Sequence, residues 1–232
     1  MNRDYILIPK PDPIPHQISE LRTLDDNFWQ THIFHFLLSF YKNHDRKKIA
    51  AIIAKEKAKQ FPRTEREIAK FLRTTLRQNR AIDSAGFIVV GESTNDEEIE
   101  GNYDIEIYHS YWSPKKFPFE CKNLDDSTTL VNEYVYVKNN SKTDGGVYRY
   151  FNGKYAQGQD FGGMIGFVLN GKVNDIKDKI QLKLKDPFDV TPEGDLQSVA
   201  DNSIENNDFT FTSTHVRKSK NFLIYHMLFR IG

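Results

Sequence analysis

Three charged residues stand out in two strand-like segments: Asp104 in GNYDIEIYHS, then Glu120 and Lys122 in KFPFECKNL. In an extended strand, residues two apart share a face. Glu120 and Lys122 should therefore project together while Phe119 and Cys121 take the other side. Pro114 and Pro118 separate the two segments, and Ser113, Pro114 and Lys115 have the composition of a turn. A hairpin follows, and it would bring Asp104 near Glu120. Paired carboxylates suit Mg²⁺, a hard cation that takes oxygen ligands and keeps several waters. A lysine beside them can hold or polarise a water or an anionic oxygen. This is the chemistry of phosphodiester hydrolysis.

The elements that must position these residues can be read from hydrophobic spacing. Residues 1–16 carry four prolines and predict an extended surface arm. Apolar residues from Ile18 to Tyr41 recur at helical spacing, with Asp25, Asp26 and Asn27 able to divide the stretch into two helices. An amphipathic, lysine-rich run follows from Asp45 to Gln60. A further helix begins after Pro62, with Thr64 as N-cap and Glu67 in the capping-box position. Ala85–Val90 has the length and composition of a buried strand, and an acidic loop, ESTNDEEIEGN, leads into the Asp104 strand. Past the Glu120 strand, LDDSTTLVNEYVYVKNN predicts a helix or loop and then a strand-like run from Tyr134 to Val137, with SKTDGG as a turn. Tyr155–Leu169 is expected as a helix with a glycine-rich interior, and Val173–Leu184 as a regular one. Residues 185–207 are polar and predict a surface excursion. FTFTSTHVR and NFLIYHMLFRI predict two strands joined by a basic turn, Lys218–Asn221.

A lone acid on one strand and Glu120-Cys121-Lys122 on the next, with a glycine just upstream of the acid, resembles the D…ExK motif of the PD-(D/E)xK nuclease superfamily. The resemblance implies an α/β fold of the restriction-endonuclease-like type, a mixed central sheet flanked by helices. Residues 63–232 would form this nuclease core, and residues 1–62 an arm and helical N-terminal extension. It also implies a Mg²⁺-dependent DNA endonuclease, with Mn²⁺ as a substitute ion and restriction or defence as a setting. Asp104 and Glu120 would hold the ion, joined by the backbone carbonyl of Cys121, while Lys122 positions or helps deprotonate the attacking water. Some members add an acid from the helix before the sheet, here Glu65 or Glu67. Glu106 alternates with Asp104 and is either a further carboxylate of the site or a solvated strand residue. Tyr155 and Gln157, in GKYAQG, resemble residues that steady the water or the lysine in related enzymes. The alternative is a core tyrosine and a surface glutamine.

Lys and Arg number 32 and so do Asp and Glu, so any nucleic-acid surface must arise from segregated charge. His215, Arg217, Lys218 and Lys220 are the expected phosphate contacts, the alternative being a solvated hairpin tip. Lys47, Lys48, Lys55, Lys57 and Lys59 offer a DNA-facing surface, an oligomerisation arm or an ordinary amphipathic helix. His226, among apolar residues, is expected as a core histidine. Gly162, Gly163 and Gly166 would admit a phosphate or a neighbouring element close to the backbone. A single cysteine, with neither a signal-peptide pattern nor a run long enough to span a bilayer, predicts a cytoplasmic protein. Two other activities fit the same residues: a non-catalytic nucleic-acid-binding or assembly module, and an RNase. A homodimer is the assembly that would cut both strands.

Overall fold

The computed structural model describes residues 12–15, 17–91, 93–94, 102–139, 142–201, 204 and 207–232. The first eleven residues of the expected arm, and most of the acidic loop with Gly101, lie outside the described residues. Five helices come first: α1 (Ile18–Leu21), α2 (Asp26–Asn43), α3 (Arg46–Lys57), α4 (Thr64–Arg77) and α5 (Arg80–Ser84). Strand β1 (Phe87–Val90), the short β2 (Ser93–Thr94) and β3 (Asn102–Tyr103), β4 (Ile105–His109) and β5 (Phe117–Leu124) follow. Helix α6 (Thr128–Val135) leads to the short β6 (Val137–Asn139) and β7 (Lys142–Asp144), then β8 (Phe161–Val168) and helix α7 (Val173–Lys183). The chain ends in β9 (Leu196–Asp201), β10 (Thr210–Arg217) and β11 (Lys220–Arg230).

Seven strands form one mixed sheet in the order β1-β4-β5-β8-β11-β10-β9. The pairs β5–β8 and β8–β11 are parallel and the others antiparallel. Parallel neighbours need a crossover, and α6 lies between β5 and β8 in the chain as α7 lies between β8 and β11. One face of the sheet packs on α2 and α4, where Trp29, Ile33, Phe34, Ile68 and Leu72 meet Phe117, Phe119, Cys121 and Ile165. The other packs on α6 and α7, where Val131, Tyr134, Ile176 and Ile180 meet Leu124, Met164, Ile224 and Leu228. Among the described residues no helix is long and apolar enough to cross a membrane.

Several expectations differ from the fold. Tyr134 and Val135, expected to open a strand, end α6, and SKTDGG, expected as a turn, supplies β7. The helical part of residues 1–62 is not peripheral, because α2 contributes Trp29, Ile33, Phe34, Leu37 and Leu38 to the main core. Thr64 is the first residue of α4 rather than its cap. Arg63 occupies the cap position without a side-chain bond, and its N–H goes instead to Glu56 Oε2 at 2.9 Å. The stretch expected as a glycine-rich helix contains β8, FGGMIGFV, buried along its whole length. A central strand covered on both faces is a continuous apolar run, which periodicity cannot separate from a buried helix. Its glycines serve packing: a Cβ on Gly162 would lie 2.3 Å from the Tyr150 ring, and one on Gly163 2.2 Å from the Phe119 ring. Finally, the polar excursion includes β9, an edge strand held through backbone pairing to β10 that shows little apolar alternation.

Between β10, β11 and α6 runs a buried polar chain. His215 Nδ1 lies 2.8 Å from the Gly194 carbonyl, His215 Nε2 2.9 Å from Ser213 Oγ, Ser213 Oγ 2.8 Å from His226 Nε2, and His226 Nδ1 3.0 Å from Tyr134 Oη. A carbonyl only accepts, so with both rings neutral every proton in the chain is assigned: Tyr134 donates to His226, His226 to Ser213, Ser213 to His215 and His215 to Gly194. Burial lowers the pKa of His215 to about 4 and that of His226 well below the usual value. His226 is a core histidine, as expected. His215 is fully buried, so it is not a phosphate contact. The unfolded chain takes up these protons below pH 6.5 whereas the native state does not, so stability is present above that pH and lost as it falls towards about 4. His215 alone should remove about 3 kcal/mol across this window. Between pH 7 and pH 5 the urea midpoint of the wild type should drop relative to that of His215→Gln, which lacks the His215 contribution.

Candidate active site

β4 and β5 pair as far as Ile105↔Phe119 and then part. Asp104 forms the bend at which they separate, and Arg73 Nη1, from α4, holds its backbone carbonyl at 2.6 Å. Arg73 is buried, and it passes so close to Gly91 that a Cβ there would lie 2.2 Å from Arg73 Cδ. Gly91→Ala should therefore displace Arg73 and slacken the Asp104 bend. The expected loss of stability is about 1–3 kcal/mol, typical of overpacking, and a urea titration would measure it.

Where β4 has left, two carboxylates occupy the exposed edge of β5. Cys121 N–H donates to Asp104 Oδ2 at 2.8 Å, and Asn123 N–H donates to Glu65 Oε2 at 3.1 Å. A strand residue directs its N–H and its C=O to the same edge, so the Cys121 carbonyl faces this edge as well. Glu65 sits in the first turn of α4, and its Oε1 accepts from Lys122 Nζ at 3.0 Å. Lys122 Nζ also lies 2.7 Å from Glu120 Oε1. That oxygen takes a second cation, Arg149 Nη1, at 2.7 Å. Arg149 reaches Tyr155 Oη at 3.1 Å and grips Asp144 through two bonds of 2.8 and 3.0 Å. Glu120 is buried, with 2 % of its side chain exposed, and Lys122 nearly so at 13 %.

Charge in this cluster is unevenly shared. Burial, and then the nearby Glu120, raise the pKa of Asp104 to about 7, with Lys122 opposing them. Burial disfavours the Lys122 ammonium, but Glu120 and Glu65 outweigh it and hold the group protonated above the ordinary lysine range. Its hydrogen bonds to Arg149 keep Asp144 ionised well below the usual carboxylate range. At neutral pH Lys122 is therefore a donor.

Asp104, Glu120, Lys122 and Glu65 converge. Glu106 stands one pair along, opposite Pro118, and its Oε1 lies 3.4 Å from Lys116 Nζ. Glu67, half-buried, shares the first turn of α4, but it is Glu65 that reaches β5. Tyr155 joins the cluster through Arg149, whereas Gln157 does not. Ala156 between them has φ of 53°, which redirects the chain. Gln157 then bonds the Gly153 carbonyl and accepts from Lys218 Nζ at 3.4 Å. Arg217 is also not a phosphate contact. It is 7 % exposed, its guanidinium donates to the carbonyls of Ala156 and Tyr155 at 2.8 and 3.0 Å, and it lies over the Phe222 ring. Arg217 thus braces the turn that carries Tyr155. Lys218 and Lys220 remain exposed at the hairpin tip.

Sequence reasoning missed Arg149, Asp144 and Arg73. The available signal was Arg149 itself, a cation between Tyr148 and Tyr150 in an aromatic run, because a cation in such a setting calls for a carboxylate partner. No protein-family model matches the chain, and no curated protein or solved structure matches it.

Proposed function

We propose that this protein is a Mg²⁺-dependent DNA endonuclease of the restriction-endonuclease-like fold. The observation that carries the reading is the convergence of Asp104, Glu120, Lys122 and Glu65 along the edge of β5 where β4 departs. A mixed sheet flanked by helices, with the acid strand and the E-x-K strand as antiparallel neighbours, supports the same reading.

Among the described residues no group of three or more acid, His or Cys side chains is arranged around an ion position. The donors would instead be the carboxylates of Asp104 and Glu120 and the carbonyl of Cys121. Oxygen donors of this kind, completed by waters, suit Mg²⁺. Burial first, and the neighbouring Glu120 second, raise the pKa of Asp104, and a bound cation would offset both. When bound, the ion polarises a phosphoryl oxygen and lowers the pKa of a coordinated water. The chain's own part is positional. Glu65 and Glu120 hold the Lys122 ammonium at the edge of the cluster, where it can orient the attacking water or a phosphate oxygen. Arg149, anchored by Asp144, sets the position of Glu120.

Incubation of the full chain with plasmid, DNA oligonucleotides and RNA, each in Mg²⁺ and in Mn²⁺, tests the reading. Scission of DNA is expected. Cleavage confined to RNA would move the substrate class, and no scission of any substrate over a broad range of salt and pH would sink the enzyme reading. One observation favours a binding module that does not cleave: Glu120 Oε1 already accepts from both Lys122 and Arg149. That module would retard DNA without cutting it.

A further inference from the structure

Phe61 is 75 % exposed, more than any other large apolar side chain that lies open on the described surface. It stands in the corner between α3 and α4, and Pro62 after it restricts its backbone to extended conformations, so little entropy is lost in presenting the ring. The surroundings are basic. Between residues 55 and 70 lie six Lys and Arg and three Glu, in a chain whose total charges balance. Two of those glutamates face inward: Glu56 is buried against Lys59 and the Arg63 N–H, and Glu65 reaches Lys122 and Asn123. Lys55, Lys57, Arg63 and Lys70 are exposed. Charge is thus segregated at the corner that leads into the candidate site. Phe61 precedes Glu65 by four residues, a span of at most about 14 Å. Glu65 in turn bonds Lys122 and Asn123, so the first turn of α4 joins this corner to the candidate site.

We propose that the α3–α4 corner is a DNA-contact surface on which Lys57 and Arg63 bind phosphates and Phe61 stacks on a base unstacked from the duplex close to the cleaved bond. The inference rests on the nuclease reading, because it takes DNA as the ligand. Aromatic stacking adds affinity that does not depend on salt, whereas each phosphate contact steepens the salt dependence.

The test uses the full chain with a fluorescein-labelled duplex carrying 2-aminopurine at successive positions, in Ca²⁺ in place of Mg²⁺. Phe61→Ala should weaken binding by about 5–100-fold, leave the salt slope unchanged and remove the 2-aminopurine fluorescence change. Phe61→Trp should retain both signals. Lys57→Ala and Arg63→Ala should each reduce the slope by about 1. Because Phe61 is exposed, the thermal midpoint of Phe61→Ala should match the wild type, so a loss of binding is not a loss of fold. Wild-type affinity and fluorescence change in Phe61→Ala, from a protein that binds and cuts DNA, would overturn this inference alone. A Phe61→Ala variant that changes oligomeric state while keeping wild-type DNA binding would overturn it in favour of a second copy of the chain. No DNA binding by the wild type would remove both this inference and the nuclease reading.

Discussion

Lys122→Ala is expected to reduce DNA cleavage in Mg²⁺ by about 10²–10⁴-fold, the range supplied by a group that orients or activates a reacting proton or water. The variant should also lose about 3 kcal/mol of stability, because Glu120 and Glu65 both bond Lys122 Nζ and each loses a cation from a buried or half-buried place. The two effects can be separated. Lys122→Met keeps the stem that packs in the sheet and removes only the charge, so it should recover part of the stability and none of the activity. Plasmid nicking and urea titration on the same preparations make the comparison. Wild-type nicking by Lys122→Met would remove the lysine from the chemistry. Arg149 would then be the cation left at Glu120, and the second bond on Glu120 Oε1 would become the feature to explain.

Asp104→Asn should do something less usual, abolishing cleavage while stabilising the metal-free protein at alkaline pH. The folded state keeps a proton on Asp104 up to about pH 7 whereas the unfolded chain releases it near 3.8, so stability falls as pH rises through that interval. A rise from 3.8 to about 7 would correspond to about 4 kcal/mol by pH 8. Asp104 is partly exposed, and solvent screening reduces the expectation to about 1–2 kcal/mol. An asparagine carries no charge and still offers an oxygen to the Cys121 N–H. Its midpoint should exceed that of the wild type at pH 8 and approach it at pH 5. Mg²⁺ should raise the midpoint of the wild type and leave that of the variant unchanged, since an ion stabilises only the state that binds it. A variant less stable than the wild type at pH 8 would show that Asp104 is held by compensating charge, not crowded by Glu120.

Both predictions concern residues legible in the sequence, and the reason is local. Alternation along a strand put Glu120 and Lys122 on one side and Phe119 and Cys121 on the other, and a proline-bearing turn returned the chain beside Asp104. Elsewhere local pattern and fold diverge for physical reasons. β8 is buried on both faces and carries three glycines between aromatic neighbours, so its run of apolar residues has no period to distinguish strand from helix. His215 and Arg217 alternate with polar neighbours and look solvent-facing, yet β10 lies inside the sheet between β9 and β11, and both side chains bond within the protein.

The sequence by itself determined that Glu120 and Lys122 project from one side of β5, because side-chain direction in a strand is a property of two or three successive residues. Tertiary structure alone decided what completes the site. Glu65 meets Lys122 across 57 residues, Arg149 meets Glu120 across 29, and Arg73 fixes the Asp104 bend across 31. Such contacts depend on where whole elements pack: α4 against β5, and the turn after β7 against the opposite face. No spacing rule within a segment encodes that. The parting of β4 from β5, which leaves backbone groups to be met by Asp104 and Glu65, arises at the same level, since an edge exists only once its neighbouring strand is placed.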